Sequence, residues 1–492
     1  MKFSTARKGL GVWFLFILLF SMLMLLLGCG TKNPGLTSAK IYLNLTPPDY
    51  EKAMQQLQIA LKQEPQNAEA HFLLGKIYAE KKMYKEMLEE FQKAEASELK
   101  PKLKLKPKQL EELQQIRKQK WTEVLNSGIR LGRKRKQVEQ YKLELLTDFS
   151  NYTGYKDSLK TISADLEGSE RFTWDAYQMF GQVKPALEDL ERTLEQEAID
   201  RYQLAILFDS TRYEPFLNLA AEYVRNDELK KALGYYQKAY QLKPDDSNVM
   251  NDYAITLLGA KKFEQALSLY ERILEKDPTN VNALVNVAMI YARKGETEKA
   301  LSTYSRIISI DPEYKDAYFN RGLLLLTKVQ DKILVLKSYK DSVQKNSKDQ
   351  KLLSRYQSAQ EDYSRLFVKA EGDFKKTTEL DPGDKDSFFH LGLLYLGRAQ
   401  TLDAGEKQND NFSQAEGFFK KTLELDPQDR ESMKYLGFSL LSLKKWAEAS
   451  LHLERLVESD PTDREAWGYL AIAYARLGKK DKAEEALKKS AR

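Results

Sequence analysis

The sequence predicts an all-α fold assembled from stacked helix pairs, and three observations carry that prediction. Lys-Pro or Asp-Pro dipeptides end at Pro244, Pro278, Pro312, Pro382, Pro427 and Pro461, spaced by 34, 34, 70, 45 and 34 residues. The period is therefore 34, with insertions of 36 and 11 residues. Counting each repeat from Tyr213, Ser247, Val281, Lys315, Lys385, Arg430 and Arg464, small residues recur at the eighth place as Ala220, Ala254, Ala288, Gly322, Gly392, Gly437 and Ala471. Alanine recurs at the twentieth place, from Ala232 to Ala483, and a large side chain stands four residues later: Tyr236, Tyr270, Tyr304, Phe374, Phe419, Leu453 and Leu487.

A small residue lets two helices approach, and the large one fills the space it leaves. The proline at place 32 cannot continue a helix and biases the residue before it out of helical geometry. Each unit thus reads as helix, short turn, helix, stop. This pattern resembles the tetratricopeptide repeat. The resemblance implies a superhelical solenoid in which neighbouring units share a continuous core, since no unit buries its apolar face alone.

The chain opens on Lys2, Arg7 and Lys8, followed by an apolar run from Leu10 to Leu27, the layout of a secretory signal over residues 1–28. Leu26-Leu27-Gly28-Cys29 resembles the lipobox of bacterial lipoproteins, which implies lipid attachment at Cys29, the only cysteine, and cleavage in front of it. An uncleaved membrane-spanning helix with an incidental Cys29 is the other reading of the same run. Both export the chain. Gly30, where an inner-membrane retention signal has Asp, implies the periplasmic face of the outer membrane, with inner membrane or cell surface as alternatives.

Residues 29–49 read as a lipidated terminus and tether, and 50–101 as an N-terminal block. In that block a half-unit (Ala53, Leu57, Ala60, Pro65) precedes a unit starting at Ala68, with Leu74, Gly75, Tyr78, Phe91 and Ala94 in place. Residues 102–212 read as degenerate helical repeats: Ala198, Tyr202 and Ala205 keep the frame, and Tyr177 and Gly181 are assigned to a stretched first helix. From Lys100 to Lys136 there are thirteen Lys or Arg against three Glu. That segment fits either an anionic surface or acidic partner, or a solvated linker. Export argues against nucleic acid.

Residues 213–492 form the main array, with insertions within 327–368 and 399–412. In the first, Val329, Ile333, Leu336 and Val343 precede the polar stretch "KNSKDQ", and Leu352 or Leu353, Tyr356, Tyr363 and Phe367 follow it. Both arms keep spacings of three and four, so the insertion reads as a helical hairpin that projects as an interaction arm and is removable without unfolding the array. The last helix, "KKDKAEEALKKSAR", reads as polar on its outer side.

No phosphate loop, nucleophile elbow or zinc-binding motif is present, and His71, His390 and His452 lie on separate repeats as ridge or surface residues. No catalytic, metal or cofactor site is assigned, and the chain reads as non-enzymatic. The resemblance implies a concave wall made by the first helices. Its partner-binding residues are Leu217, Asn218, Asn251, Ile255, Val285, Asn286, Met289, Phe319, Asn320, Leu323, Phe389 and Leu393, with Asn or Asp recurring at place 6 as Asn218, Asp252, Asn286 and Asn320. The basic residues by which chaperone-binding members clamp a terminal carboxylate are absent. The expected function is an anchored adaptor for envelope proteins or peptide segments in assembly, pilus or secretion complexes. The alternatives are a recruiter of cell-wall hydrolases or an envelope enzyme.

Overall fold

A computed structural model describes residues 33–96, 104–147, 183–346, 348–402 and 405–491. Among them are twenty α-helices and no strand. The chain divides into two compact units, Met1–Val249 and Met250–Arg492.

In the first unit, Pro34–Leu43 pairs with Tyr50–Gln63, Ala68–Glu80 with Tyr84–Ala96, Pro107–Thr147 with Val183–Phe208, and Glu214–Arg225 with Leu229–Leu242. The opening pair corrects the reading of residues 29–49 as a tether. Asn33 caps Pro34–Leu43 by accepting the Leu36 N–H, and proline occupies the first turn, where its missing donor costs nothing. A Cβ on Gly35 would lie 2.7 Å from the Gln56 carbonyl oxygen, so glycine is required for the two backbones to meet. The half-unit is therefore a whole helix pair.

The third pair falls within residues 102–212, read as degenerate repeats. Val183–Phe208 buries Ala198, Tyr202 and Ala205 in repeat frame, but its partner is the 41-residue helix Pro107–Thr147, with Gly128 against the Tyr202 ring. Tyr177 and Gly181 lie outside the described residues. Among the described residues the stretch supplies one enlarged pair, whose basic helix packs along one side and leaves Lys108, Lys118 and Arg130 exposed, so that helix is not a solvated linker. Arg135, only 4% exposed, donates to Glu222 at 3.0 Å and to Asn226 at 3.1 Å and lies near Glu139, Glu191 and Glu195. Arg117 makes a two-point pair with Glu95, and the Arg212 guanidinium stacks on Trp121.

Ser247–Gly259 runs across the division, and the second unit continues through Phe263–Lys276, Val281–Arg293, Thr297–Ile310, Lys315–Lys345, Gln350–Leu380, Lys385–Ala399, Glu406–Leu425, Arg430–Ser442, Trp446–Ser459, Arg464–Arg476 and Lys480–Ser490. The repeated small and large places meet as expected. A Cβ added at Gly322 would lie 2.9 Å from the Phe374 ring, and one at Gly437 would lie 2.6 Å from the Leu453 side chain. Side chains at place 34 cap the next first helix: Asn280, Asp384, Asp429 and Asp463 accept N–H groups of its first turn. Lys315 pairs with Asp381 at 2.8 Å and Lys385 with Asp426 at 2.5 Å, so the start of each first helix is tied to the aspartate before its own closing proline.

Place 15 carries a feature the sequence reading missed. The turn between the two helices of a unit is left-handed at Lys82, Asp227, Lys261, Gly295, Lys444 and Gly478, with φ between 57° and 76°. Only two of these six are glycine, which hid the signal.

The hairpin forms as two continuous 31-residue helices, Lys315–Lys345 and Gln350–Leu380. It does not project along its whole length. Val329, Ile333, Leu336, Ala359, Tyr363 and Phe367 are buried in one cluster with the repeat core, and Ile333 reaches Gly397 of the next unit. The second insertion lengthens that next unit, whose second helix has 20 residues where Phe263–Lys276 has 14. Only the part beyond Leu336 and before Ala359 is free of buried apolar side chains.

The final pair also departs from expectation. Leu487, at place 24, is 61% exposed, whereas Tyr270, Phe374, Phe419 and Leu453 at that place are fully buried.

Candidate functional site

The first-helix face of the second unit carries a ladder of aromatic rings. Places 5, 6 and 9 share one side of a helix because they recur every three or four residues. The Phe319 ring, at place 5, lies 5.8 Å from His390, at place 6 of the next unit. Phe389 lies 6.1 Å from Tyr435 in the same relation, and Phe438, at place 9, lies 5.2 Å from Tyr469. Beneath the ladder, Phe374 stacks on His390 at 5.4 Å and Phe419 on Tyr435 at 5.8 Å. The rings that fill the core at place 24 thus support the place 6 rings from below. All of the ladder residues are half-buried.

Towards the start of this unit the same places change character. Val285, Asn286, Met289, Asn320 and Leu323 are half-buried, Asn251 likewise, and Ile255 is 48% exposed. In the first unit Leu217 and Asn218 are half-buried on the equivalent face. The asparagines are not wholly free for a ligand. The Nδ2 of Asn218 donates to the Glu214 carbonyl at 2.8 Å, that of Asn286 to Asn282 at 3.0 Å and that of Asn320 to Asp316 at 2.7 Å. Asn251 donates to Asp252. Each carboxamide keeps its oxygen and one N–H for a partner.

Charge flanks the rings. Asp316, Asp386, Glu431 and Glu465 are exposed in the first turns, where they complement the helix dipole. Lys434 bridges Glu431 at 3.0 Å and Asp463 at 3.5 Å. The Tyr469 hydroxyl donates to Glu465 at 2.6 Å, and burial together with that carboxylate holds its pKa well above the ordinary phenol value. Burial pushes His390 below the ordinary histidine value, against the weaker pull of Asp386 and Asp384. The face is an apolar, ring-lined surface with few mobile donors, suited to bind rather than to react.

Sequence reasoning found Phe319, Leu323, Phe389 and Leu393 but missed His390, Tyr435, Phe438 and Tyr469. The signal was available at place 6, which passes from Asn to His and Tyr along the chain. Expectations for the histidines need correction. His71 is buried, with Nδ1 2.5 Å from Glu90 Oε2 and Nε2 2.9 Å from the Pro65 carbonyl. His452 is half-buried, and burial lowers its pKa. None is a plain surface residue. Cys29 and the apolar run before it lie outside the described residues. Among those described, no group of three His, Cys, Asp or Glu side chains converges as a metal site, and no helix is long and apolar enough to cross a membrane.

Four family models match the chain, all of them tetratricopeptide repeats: residues 49–82, 68–99, 257–320 and 436–492. No curated protein matches. Among solved structures, a tetratricopeptide repeat protein from Parabacteroides merdae is 18% identical, covering 57% of this chain and 99% of its own, with a TM-score of 0.37. YrrB, a repeat protein with an unusual peptide-binding site, is 17% identical over 47% of this chain and 95% of its own, with a TM-score of 0.33. PilW, a type IV pilus biogenesis factor, is 17% identical over 49% and 90%, also with a TM-score of 0.33. The shared period, the small residues fitted against large ones and the matching models together make this chain a tetratricopeptide-repeat protein.

Proposed function

We infer that the protein is a scaffold that holds a segment of a protein partner on the first-helix face of its second unit, from Asn251 to Ile472. The observation that carries the reading is the ring ladder. Phe319, Phe389, Tyr435, Phe438 and Tyr469 pack against one another and against the core rings below, yet stay only half-buried. Fixed aromatic side chains lose little entropy on binding and supply much of the energy of protein interfaces. Apolar contact dominates at the ladder, while the free oxygens of Asn286 and Asn320 accept backbone N–H groups of the partner towards the start of the unit. Leu217 and Asn218 offer the same chemistry in the first unit.

The scaffold works outside the cytoplasm, tethered through a lipid on Cys29 to the outer membrane. The basis is the charged start, the apolar run and the residues around the single thiol. Two or more acyl chains are needed for a firm anchor, and a diacylated cysteine provides them. The exposed cations of the long basic helix, among them Lys108, Lys118, Arg130, Arg133 and Lys136, remain available to an anionic surface. An envelope assembly, pilus or secretion complex is the setting this reading favours.

Two experiments test it. Changing Phe389 and Tyr435 to alanine together should weaken a captured partner by roughly a hundredfold or more with the fold intact. An unchanged affinity would place the binding surface elsewhere. Mass spectrometry of the wild-type protein should find Cys29 acylated at a new N terminus, whereas an unmodified Cys29 inside an intact chain would replace the lipid anchor with a single membrane-spanning helix.

A further inference from the structure

Where the two insertions meet, they build a small cleft that the repeat itself does not require. It has a volume of about 150 Å³ and lies between the hairpin and the end of Lys385–Ala399. Lys337, Gln360 and Tyr363 come from the first insertion, Gln400 and Thr401 from the second, and Arg398 stands beside them. A plain 34-residue unit has neither set. The cleft exists only because two separate insertions in adjacent units face each other.

Among the described residues that line it are three cations, Lys337, Lys340 and Arg398, and no carboxylate. Among the described residues the Lys337 amino group reaches the Gln400 side-chain oxygen, at 3.5 Å. Arg398 lays the flat face of its guanidinium over the Phe367 ring, 4.4 Å from the centroid, which leaves its N–H edge for a ligand. Glu371, whose carboxylate feels the Arg398 charge, is held by Lys375 at 2.6 Å and by the Tyr395 hydroxyl at 2.5 Å.

A second observation points the same way. Tyr363 is 6% exposed, and its hydroxyl is buried without a hydrogen-bond partner. Thr401 lies beside it without meeting hydrogen-bond geometry, and its own hydroxyl donates to the Arg398 carbonyl at 2.8 Å. A buried donor with no acceptor is rare in folded proteins. The same ring sits in the hairpin core, where phenylalanine would pack equally well. Tyr363 lines the cleft together with Lys337 and Arg398.

We propose that this cleft binds a small oxyanion, a carboxylate or phosphate group, through Lys337, Arg398 and the Tyr363 hydroxyl. Charge-assisted hydrogen bonds from a guanidinium and an ammonium supply affinity, and the phenol fixes one oxygen. The site is separate from the ring ladder, so its ligand is bound whether or not a partner occupies the first-helix face.

The test is calorimetric titration of the full chain with sodium phosphate and, separately, with sodium acetate, at ionic strength held constant with sodium chloride. The wild type should take up one equivalent saturably. Tyr363→Phe, which keeps the ring and its packing, should weaken uptake by roughly tenfold, and Arg398→Gln by more. Lys351→Gln, on the far part of the hairpin, should leave it unchanged. Tighter uptake of phosphate identifies a phosphorylated ligand, and tighter uptake of acetate identifies a carboxylate. If Arg398→Gln does not fold, Tyr363→Phe alone decides. No saturable uptake of either anion, or equal affinity in wild type and Tyr363→Phe, overturns the proposal.

Discussion

The ring of Phe419 occupies the space a side chain on Gly392 would fill: a Cβ built there would lie 2.6 Å from the nearest ring carbon. Gly417 is in the same unit and also mid-helix, but a Cβ there would meet nothing within 4 Å. The same substitution should therefore have opposite signs at the two positions. Gly392→Ala should destabilise by about 1 to 2 kcal/mol, because overpacking outweighs the gain in helix propensity. Gly417→Ala should stabilise by about 0.5 to 1 kcal/mol. Thermal or urea unfolding of both variants checks this.

Lys261 holds a backbone φ of 58° in the turn between two helices, where Gly295 serves the next unit at 75°. A side chain in the left-handed region costs about 1 to 2 kcal/mol relative to glycine, part of which glycine gives back through its freedom when unfolded. Lys261→Gly should stabilise by roughly 0.5 to 1 kcal/mol, read as a raised denaturation midpoint.

These two cases show how far the sequence was legible. The place 8 and place 24 pairing could be read because glycine against phenylalanine has one steric meaning at any surface position. The place 15 turn was hidden because lysine fills it in three units and tolerates the strain. Pro34–Leu43 was missed because its close approach is made by Gly35, while its eighth place is Ile41, which is exposed. The basic segment read as either a linker or an anionic-surface contact because its charge obscured the apolar stripe of Leu113, Val124, Leu131 and Val138, all buried. At the binding face, repeated asparagine drew notice, whereas the aromatic end required knowing which rings touch across units.

His390 gives the fold a pH dependence of defined sign. Burial lowers its pKa below 6.5, so the unfolded chain takes up a proton at higher pH than the folded one. Its contribution is intact above pH 6.5 and is lost as pH falls from there through the lower folded value. His390→Phe should flatten the decline in melting temperature between pH 7 and pH 5. An identical decline in the variant would show that His390 is not its source.

The hairpin should tolerate trimming but not removal. Replacing residues 340–355 by a short turn leaves Ile333, Leu336, Ala359, Tyr363 and Phe367 in place and should leave helix content per residue and cooperative unfolding intact. Replacing 329–367 removes that cluster, and the neighbouring Lys385–Ala399 helix should lose protection from hydrogen exchange.

The central claim is that the ring-lined face of the second unit is where a protein partner sits. The most direct measurement places a photo-reactive phenylalanine analogue at Tyr435, on the ladder, and in a second variant at Lys421, exposed on a second helix. Both are irradiated in intact cells and resolved by mass. A discrete protein adduct at 435 and none at 421 is the predicted result. Adducts at 421 with none at 435 would contradict the account.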